Sequence, residues 1–175
     1  ATSMSIEEVA KANGNGHRFF QLYWPPNERN DVTASILKRA KAAGFTALVV
    51  TLDTYVLGYR PSDLTNGYNP FFLPNQTGCG LGMSDPVFRE TFKQKHGKEI
   101  EEDMDTAALE WTATLFCGKG HSWDDLKFLR EHWDGPIALK GIMSVEDAQL
   151  AVKHGVDGIV VSSHGGRQVN DSVSS

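Results

Sequence analysis

The stretch GPIALKGIMSVEDAQLAVKHGVDGIVVSSHGGRQ (135–168) contains two short aliphatic runs separated by a helical pattern. The runs at 135–142 and Ile159–Val161 are typical of strands in a parallel sheet, and the second predicts a strand that is covered on both faces. Between them, Ser144 and Asp147 have the spacing of a capping box at a helix start. The stretch therefore predicts a β-α-β unit.

A second unit of the same kind lies earlier in the chain. RFFQLYW (18–24) and TALVVTLD (46–53) are predicted strands, and NDVTASILKRAKAAG between them is a predicted helix that ends near Gly44. The apolar positions that recur at helical spacing are Val32, Ile36, Leu37 and Ala40. Strands that alternate with helices in this way predict an α/β fold with a parallel sheet and right-handed crossovers.

A long insertion over about 54–121 separates the two units. It is rich in Gly, Pro and Asn at first, and helical patterns follow near 85–96 and 105–117. Connections of this length are typical of lids or binding loops, and the alternative is a surface excursion that packs on tryptophans. Those tryptophans are Trp111, Trp123 and Trp133.

Composition excludes several classes of function. With 175 residues and 40% hydrophobic content the chain can form a core, and its net charge of -5 with mixed signs argues against a nucleic-acid-binding face. No run approaches the ~18 apolar residues of a membrane span, and ATSMSIEEVA lacks the features of a secretory signal. Cys79 and Cys117 fit no metal spacing. The expected location is intracellular, in the cytoplasm, with peroxisomes as the alternative.

Polar side chains follow each predicted strand. The carboxyl ends of parallel strands share one face of a sheet, and this is where α/β proteins bind ligands. Each polar residue taken singly has a structural explanation, as a strand residue, a cap or a polar turn such as the one at Gly165 and Gly166. Together they place a base, a carboxylate, two cations and neutral donors on one rim, which predicts a ligand site. The residues are Gln21, Tyr23, Thr51, Asp53, Lys140, His164 and Arg167.

Three motifs, in this order, resemble the family of FMN-dependent L-2-hydroxy acid oxidases and dehydrogenases. They are RFFQLYW (18–24), VVTLDTYVLGYRPSDL (49–64) and ALKGIMSVEDAQLAVKHGVDGIVVSSHGGRQ (138–168). The resemblance covers 1–175 as one partial domain. It implies FMN as cofactor, a small 2-hydroxy acid as substrate, a 2-keto acid as product and O2 as a candidate second substrate. DLTNGYNPFF (63–72) and GMSDPVFRETFKQKHG (82–97) resemble the lactate 2-monooxygenase branch.

The resemblance also implies roles for the substrate-side residues. His164 matches the active-site base, and Asp53 matches the carboxylate that pairs with it. Arg167 matches the ligand of the substrate carboxylate, and Tyr23 matches the tyrosine that donates a hydrogen bond to the substrate. Arg60 matches an arginine near the substrate pocket.

On the cofactor side, the resemblance implies that Gln21, Thr51 and Lys140 contact the isoalloxazine ring. No metal ligands are implied. One position departs from the family pattern, because Ser163 stands where the family usually has Asn. The flanking histidine and the Gly-Gly-Arg sequence are retained, so the predicted roles are unchanged.

The family fold is an eight-stranded (β/α) TIM barrel, and the four predicted strands match its third to sixth strands. The sequence therefore predicts an incomplete barrel, about half of one, without the loops that hold the FMN phosphate. Such a sheet has open edges. We expect the chain to self-associate or to pair with a missing barrel half, and to bind less than one flavin alone. The alternative function is a non-catalytic half-barrel that dimerises or binds a partner.

Overall fold

The computed structural model describes residues 2–69, 71, 75–169 and 174–175. Its four strands form one sheet in chain order, and all neighbouring strands are parallel. They are β1 (Phe19–Tyr23), β2 (Ala47–Thr51), β3 (Ile137–Ile142) and β4 (Gly158–Val161). The predicted parallel α/β fold is confirmed. Residues 70 and 72–74 of the predicted loop lie outside the described residues.

Helices connect the strands and cover one side of the sheet. In the described residues they are α1 (Ile6–Asn13), α2 (Asn30–Ala42), α3 (Pro61–Thr65), α4 (Gly80–Met83), α5 (Pro86–His96), α6 (Met104–Leu115), α7 (Leu126–His132) and α8 (Val145–Lys153). The predicted helices near 85–96 and 105–117 correspond to α5 and α6, although α6 ends two residues early, at Leu115. Helices α3 and α4 are too short to produce a periodic apolar pattern, and the sequence did not predict them.

The helix-covered face of the sheet carries the main core. Alternate strand residues such as Leu22, Leu48 and Leu139 are at most 1% exposed there. The apolar stripe predicted on α2 is confirmed, because all four of its residues are fully buried.

The opposite face of the sheet is open. Phe19 is 68% exposed, and Gln21 on the same face is also exposed. In β4, Ile159 and Val160 are each 39% exposed and Val161 is 56% exposed, so the prediction that this strand is covered on both faces is wrong. Among the described residues β4 is an edge strand that pairs only with β3, which leaves its side chains with fewer neighbours.

Strand β3 contains an irregularity at Gly141. Lys140 pairs with Val160 and Ile142 pairs with Val161, so Gly141 is an extra residue without a partner in β4. Its φ of 105° is a conformation that residues with a Cβ atom rarely adopt. As a result Lys140 is on the open face, whereas Ile142 is 5% exposed and joins the helix-side core.

The second half of the predicted insertion packs against α2. Asp85 is fully buried and caps α5 by accepting hydrogen bonds from the backbone N–H groups of Val87 and Phe88. Its other oxygen accepts from Ser35 and Arg39 of α2 at 2.8 and 3.1 Å.

Tryptophans also hold the insertion on the core. Trp111 and Trp133 are buried at 1% and 2% exposure, and Trp123 packs against the core. A Cβ atom at Gly82 would lie 2.1 Å from the Trp111 ring, so α4 approaches α6 closely. These contacts agree with the alternative of a packed excursion.

At the amino end of the sheet, Arg18 precedes β1 and donates to backbone carbonyls. Its guanidinium reaches the carbonyl oxygens of Ala43 and Gly14, each at 2.5 Å. The turn before β2 and the end of α1 are thereby tied to the start of β1.

Arg130 makes similar hydrogen bonds beside the starts of β3 and β4. It donates to the carbonyl of Gly155 and to Asp157, both at 2.6 Å. Asp157 also accepts from the backbone N–H of Ile137 at 2.8 Å. Asp157 thus links the starts of the two strands, and its ion pair with Arg130 attaches them to α7.

Candidate active site

Asp53 is the centre of a charged cluster at the carboxyl ends of the strands. It follows β2, and its side chain is 10% exposed. Oδ1 lies 2.9 Å from Nδ1 of His164, which is in the 3-10 helix after β4. Oδ2 accepts from the ammonium of Lys140 on β3 at 3.4 Å. One carboxylate therefore joins three successive strands.

Two glycines allow this close approach. A Cβ atom at Gly141 would lie 2.8 Å from Cβ of Asp53, and one at Gly165 would lie 3.0 Å from it. In proteins, a Cβ atom essentially never lies closer than 3.0 Å to such a neighbour, so the 2.8 Å contact at Gly141 is forbidden and the 3.0 Å contact at Gly165 is very tight. Gly141 and Gly165 thus have a physical role, because side chains at these two positions would displace Asp53.

The local backbone also aims His164. Ser162 follows β4, and its hydroxyl accepts a hydrogen bond from the backbone N–H of His164 at 3.3 Å. The chain then forms a 3-10 helix over Ser163–Gln168, where the sequence predicted a polar turn as one alternative.

Gln21, Thr51 and Lys140 lie on the neighbouring strands β1, β2 and β3. The Gln21 amide donates to the Thr51 hydroxyl at 2.7 Å. Thr51 pairs in register with Tyr23 on one side and with Lys140 on the other. An amide, a hydroxyl and an ammonium on adjacent strands match the donors and acceptors along the edge of a flavin ring. The residues present therefore fit the cofactor's ring.

Tyr23 is the last residue of β1 and lies beside Thr51 in the sheet. Its ring is half-buried and packs edge-on against Phe116, with centroids 5.9 Å apart. Burial raises the pKa of its phenol, and the negative charge of Asp53 raises the pKa further. The phenol is thus kept in its protonated form, in which it is a hydrogen-bond donor.

Arg60 and Arg167 bring positive charge to the same rim. Both act on Tyr23 by lowering the pKa of its phenol, against the larger effect of burial. Arg60 immediately precedes α3 and lies 3.8 Å from Asp63. Arg167 is exposed, three residues after His164. The structure brings five predicted site residues into contact in two groups, Asp53–His164–Lys140 and Gln21–Thr51, and it places both arginines within electrostatic reach of Tyr23.

Sequence reasoning missed Thr54. It is 7% exposed, and its Oγ1 lies 3.2 Å from Oδ1 of Asp53 and 3.4 Å from Nδ1 of His164. The available signal was its position directly after Asp53 in the motif TLDT.

A cavity of about 310 Å³ beside the cluster was also missed. Thr54 and Gly141 line it, together with Trp24 and His121, whose rings stack at 3.8 Å. Burial lowers the pKa of His121, which favours its neutral form. The residues that form this cavity are far apart in sequence, so no spacing pattern indicates it.

Two further properties hold for the part of the chain that the structure describes. It contains no group of three or more His, Cys, Asp or Glu side chains that could hold a metal ion. Within the same residues, no helix has both the length and the apolar character needed to cross a bilayer.

Comparisons with known proteins match the whole chain. Residues 1–175 match the family described as FMN-dependent dehydrogenase. An FMN-dependent alpha-hydroxy acid dehydrogenase of Schizosaccharomyces pombe is 57% identical over 100% of this chain and 43% of its own length. Glycolate oxidase of Spinacia oleracea is 39% identical over 97% of this chain and 41% of its own length.

Solved structures agree with the sequence relatives. A crystal structure of mandelate oxidase with (S)-2-phenylpropionate has a TM-score of 0.66 and 32% identity over 98% of this chain and 39% of that chain. The present chain thus spans about two fifths of the length of the relatives that it matches. With the family match over every residue, the chain belongs to the FMN-dependent dehydrogenase family, whose cofactor is FMN.

Proposed function

We propose that this chain provides the base, the substrate-binding side chains and the flavin-ring contacts of an enzyme that oxidises a small, lactate-like L-2-hydroxy acid to the 2-keto acid. The observation that carries the proposal is the contact of Asp53 with both His164 and Lys140. It links a proton acceptor to a cation within a site that fits FMN.

The Asp53 contact determines which nitrogen of His164 acts as the base. An ionised carboxylate is only an acceptor, so the nitrogen 2.9 Å from it, Nδ1, carries the proton. Nε2 of the neutral ring then has the free electron pair that accepts a proton from the substrate hydroxyl. After this transfer the imidazolium is stabilised by Asp53.

The oxidation also needs an acceptor for two electrons, and FMN supplies this acceptor when bound. Gln21 and Thr51 orient the ring through their amide and hydroxyl groups. Lys140 places a positive charge beside it, where negative charge develops during the reaction.

Arg167 binds the substrate carboxylate, because its planar guanidinium matches a carboxylate with two parallel hydrogen bonds. Tyr23 donates a hydrogen bond to the substrate from its protonated phenol. Arg60 adds positive charge at the edge of the same pocket. A small 2-hydroxy acid carries a carboxylate and a hydroxyl on adjacent carbons, and these side chains complement both groups.

We further propose O2 as the second substrate. The support comes from relatives that are named as oxidases, among them an L-lactate oxidase of Lysinibacillus sphaericus that is 35% identical over 99% of this chain and 42% of its own length. Within the family, we propose an activity like that of the lactate 2-monooxygenase branch. Oxygen consumption during turnover distinguishes oxygen-using enzymes from dehydrogenases.

The test is His164→Asn in a complete-length enzyme that contains this chain, with L-lactate, glycolate and (S)-mandelate as substrates. Loss of the base lowers the rate of flavin reduction by about 10²–10⁴-fold and leaves the flavin content unchanged. His17→Asn is the matched control, because His17 is exposed at the amino end of the sheet. Flavin reduction at the parent rate in His164→Asn would refute the proposal.

The open face of the sheet favours a second candidate, a non-catalytic half-barrel that associates with another copy. Phe19 at 68% exposure and Val160 at 39% exposure are apolar groups on this face that a partner would cover. Sedimentation analysis of the 175-residue chain tests this candidate. A monomer at all concentrations contradicts it, and a dimer that Phe19→Glu dissociates supports it.

A further inference from the structure

Thr54 is packed into the charged cluster although it carries no charge. It follows Asp53 directly, and only 7% of it is exposed. Its Oγ1 lies within 3.4 Å of two atoms, Oδ1 of Asp53 and Nδ1 of His164. These two atoms are themselves 2.9 Å apart, so the three polar atoms form a triangle.

The hydrogen atoms in this triangle have one arrangement that satisfies all three groups. Oδ1 of Asp53 accepts only, so the Thr54 hydroxyl donates to it and the Nδ1–H of His164 donates to it as well. A lone pair of Thr54 Oγ1 then faces the same Nδ1–H. The longer distance of 3.4 Å makes this a weak second acceptor for that proton.

The Thr54 hydrogen bond restricts rotation of the Asp53 carboxylate. The other oxygen of this carboxylate is held by Lys140 only at 3.4 Å. Without the hydroxyl, the carboxylate would have fewer donors to fix its plane relative to the imidazole.

We infer that Thr54 is a positioning residue, whose hydroxyl holds the Asp53 carboxylate and the His164 imidazole in the arrangement that directs Nε2 toward the substrate. The inference rests on the proposed role of His164 as the base. Thr54 itself acts only through Asp53 and His164. Its contribution is expected in the rate of proton removal and not in the affinity for substrate.

The experiment compares Thr54→Val with Thr54→Ser in the complete-length enzyme. Valine keeps the shape of threonine and removes the hydroxyl, whereas serine keeps the hydroxyl. Loss of one hydrogen bond to a charged group predicts that Thr54→Val lowers kcat about 10- to 100-fold with KM within about twofold of the parent. Thr54→Ser restores kcat to within about threefold of the parent.

Thr46→Val is the matched control. The Thr46 hydroxyl donates to the backbone carbonyl of Arg18 at 3.2 Å, at the other end of the sheet. The same chemical change is made there, far from the cluster, and kcat is expected to stay at the parent value. A kcat loss in Thr46→Val equal to that in Thr54→Val would overturn the inference, because the loss would then reflect general destabilisation.

A second measurement does not depend on turnover. In proton NMR of the 175-residue chain, the His164 Nδ1–H gives a downfield resonance when it is held by the carboxylate. Thr54→Val is expected to shift this resonance upfield and to speed its exchange with water, and Thr54→Ser is expected to leave both unchanged. An unchanged resonance together with an unchanged kcat in Thr54→Val overturns the inference.

The two proposals fail in different ways. If His164→Asn keeps its activity, the proposed function fails whatever Thr54 does. If His164→Asn is inactive and Thr54→Val is equal to the parent in kcat and in the NMR resonance, only the positioning role fails. A parallel loss of kcat in Thr54→Val and Thr54→Ser also overturns it, because the hydroxyl would not be the group that matters.

Discussion

Both ends of the sheet carry charged side chains, but those side chains differ in how they bond to the backbone. At the amino end, Arg18 and Arg130 donate to backbone carbonyls, and Asp157, the ion-pair partner of Arg130, accepts from a backbone N–H. At the carboxyl end, Asp53, His164 and Lys140 bond to one another.

The difference indicates which end stabilises the fold and which is suited to chemistry. A hydrogen bond from a side chain to a backbone carbonyl holds two chain segments together, so removing the side chain destabilises the whole fold. Within the described residues, such a cluster of side chains keeps groups that a ligand can engage, such as Nε2 of His164 and the remaining N–H bonds of Lys140. Enzymes with a (β/α) barrel place catalysis at the carboxyl end and stability at the amino end.

The largest expected effect is that of Asp53→Asn. The amide N–H donates to Nδ1 of His164, which moves the proton of the ring to Nε2 and removes the base. We expect the rate of flavin reduction in the complete-length enzyme to fall by about 10³–10⁴-fold. Stopped-flow absorbance measures this rate, and circular dichroism checks that the fold is retained. A parent-like rate would contradict the assignment of chemistry to the carboxyl end.

Next in size is Gly141→Ala, which strains the backbone at a φ of 105° and places a Cβ atom 2.8 Å from Asp53. We expect the free energy of unfolding to fall by about 1–3 kcal/mol, together with a loss of activity. Gly67→Ala is the matched control, because it has a positive φ of 56° and open space around it. Equal activity in the two variants would show that crowding of Asp53 is unimportant.

Arg18→Ala tests the amino end. It removes hydrogen bonds to the carbonyls of Ala43 and Gly14, which water then partly replaces, so we expect the free energy of unfolding to fall by about 1–2 kcal/mol. Urea denaturation of the 175-residue chain measures the change. In the complete-length enzyme, activity per folded molecule stays at the parent value, and a large selective loss of kcat would break the proposed division between the ends.

The smallest effect is a pH dependence at Asp157. The backbone N–H of Ile137 lowers the pKa of this carboxyl, and Arg130 lowers the pKa further. Its stabilising contribution is present above the unfolded-state value near 3.8 and is lost as the pH falls through the lowered pKa. Asp157→Asn is therefore expected to be less stable than the parent at neutral pH and equal to it in strong acid. Urea midpoints at several pH values test this, and a constant difference contradicts it.

The sequence predicted the elements whose pattern is local. The apolar stripe of α2 and the Ser144 cap of α8 depend on spacings within a few residues, and the structure contains both. The parallel order of the strands followed from their alternation with helices. Polar residues after the strands identified the rim where Asp53 and His164 meet.

Features that depend on neighbours distant in sequence were not predictable. An apolar run such as Ile159–Val161 looks the same whether it lies inside a sheet or at an edge, so its exposure could not be read from composition. The role proposed for Thr54 depends on a contact with His164, 110 residues away. The crowding of Asp53 by two glycines depends on three chain segments that meet only after folding.

The extra residue at Gly141 determines which side of the sheet the last residue of β3 faces. A strand assigns its side chains to two sides by odd and even position, and an inserted residue reverses that parity from there onward. Before the insertion, even-numbered Lys140 belongs to the open side; after it, even-numbered Ile142 belongs to the core. Deleting this one residue would leave Ile142 on the core side by ordinary alternation, whereas regular pairing of every residue of β3 would turn Ile142 toward the open side, so the bulge is what lets Gly141 and a buried Ile142 occur in the same strand.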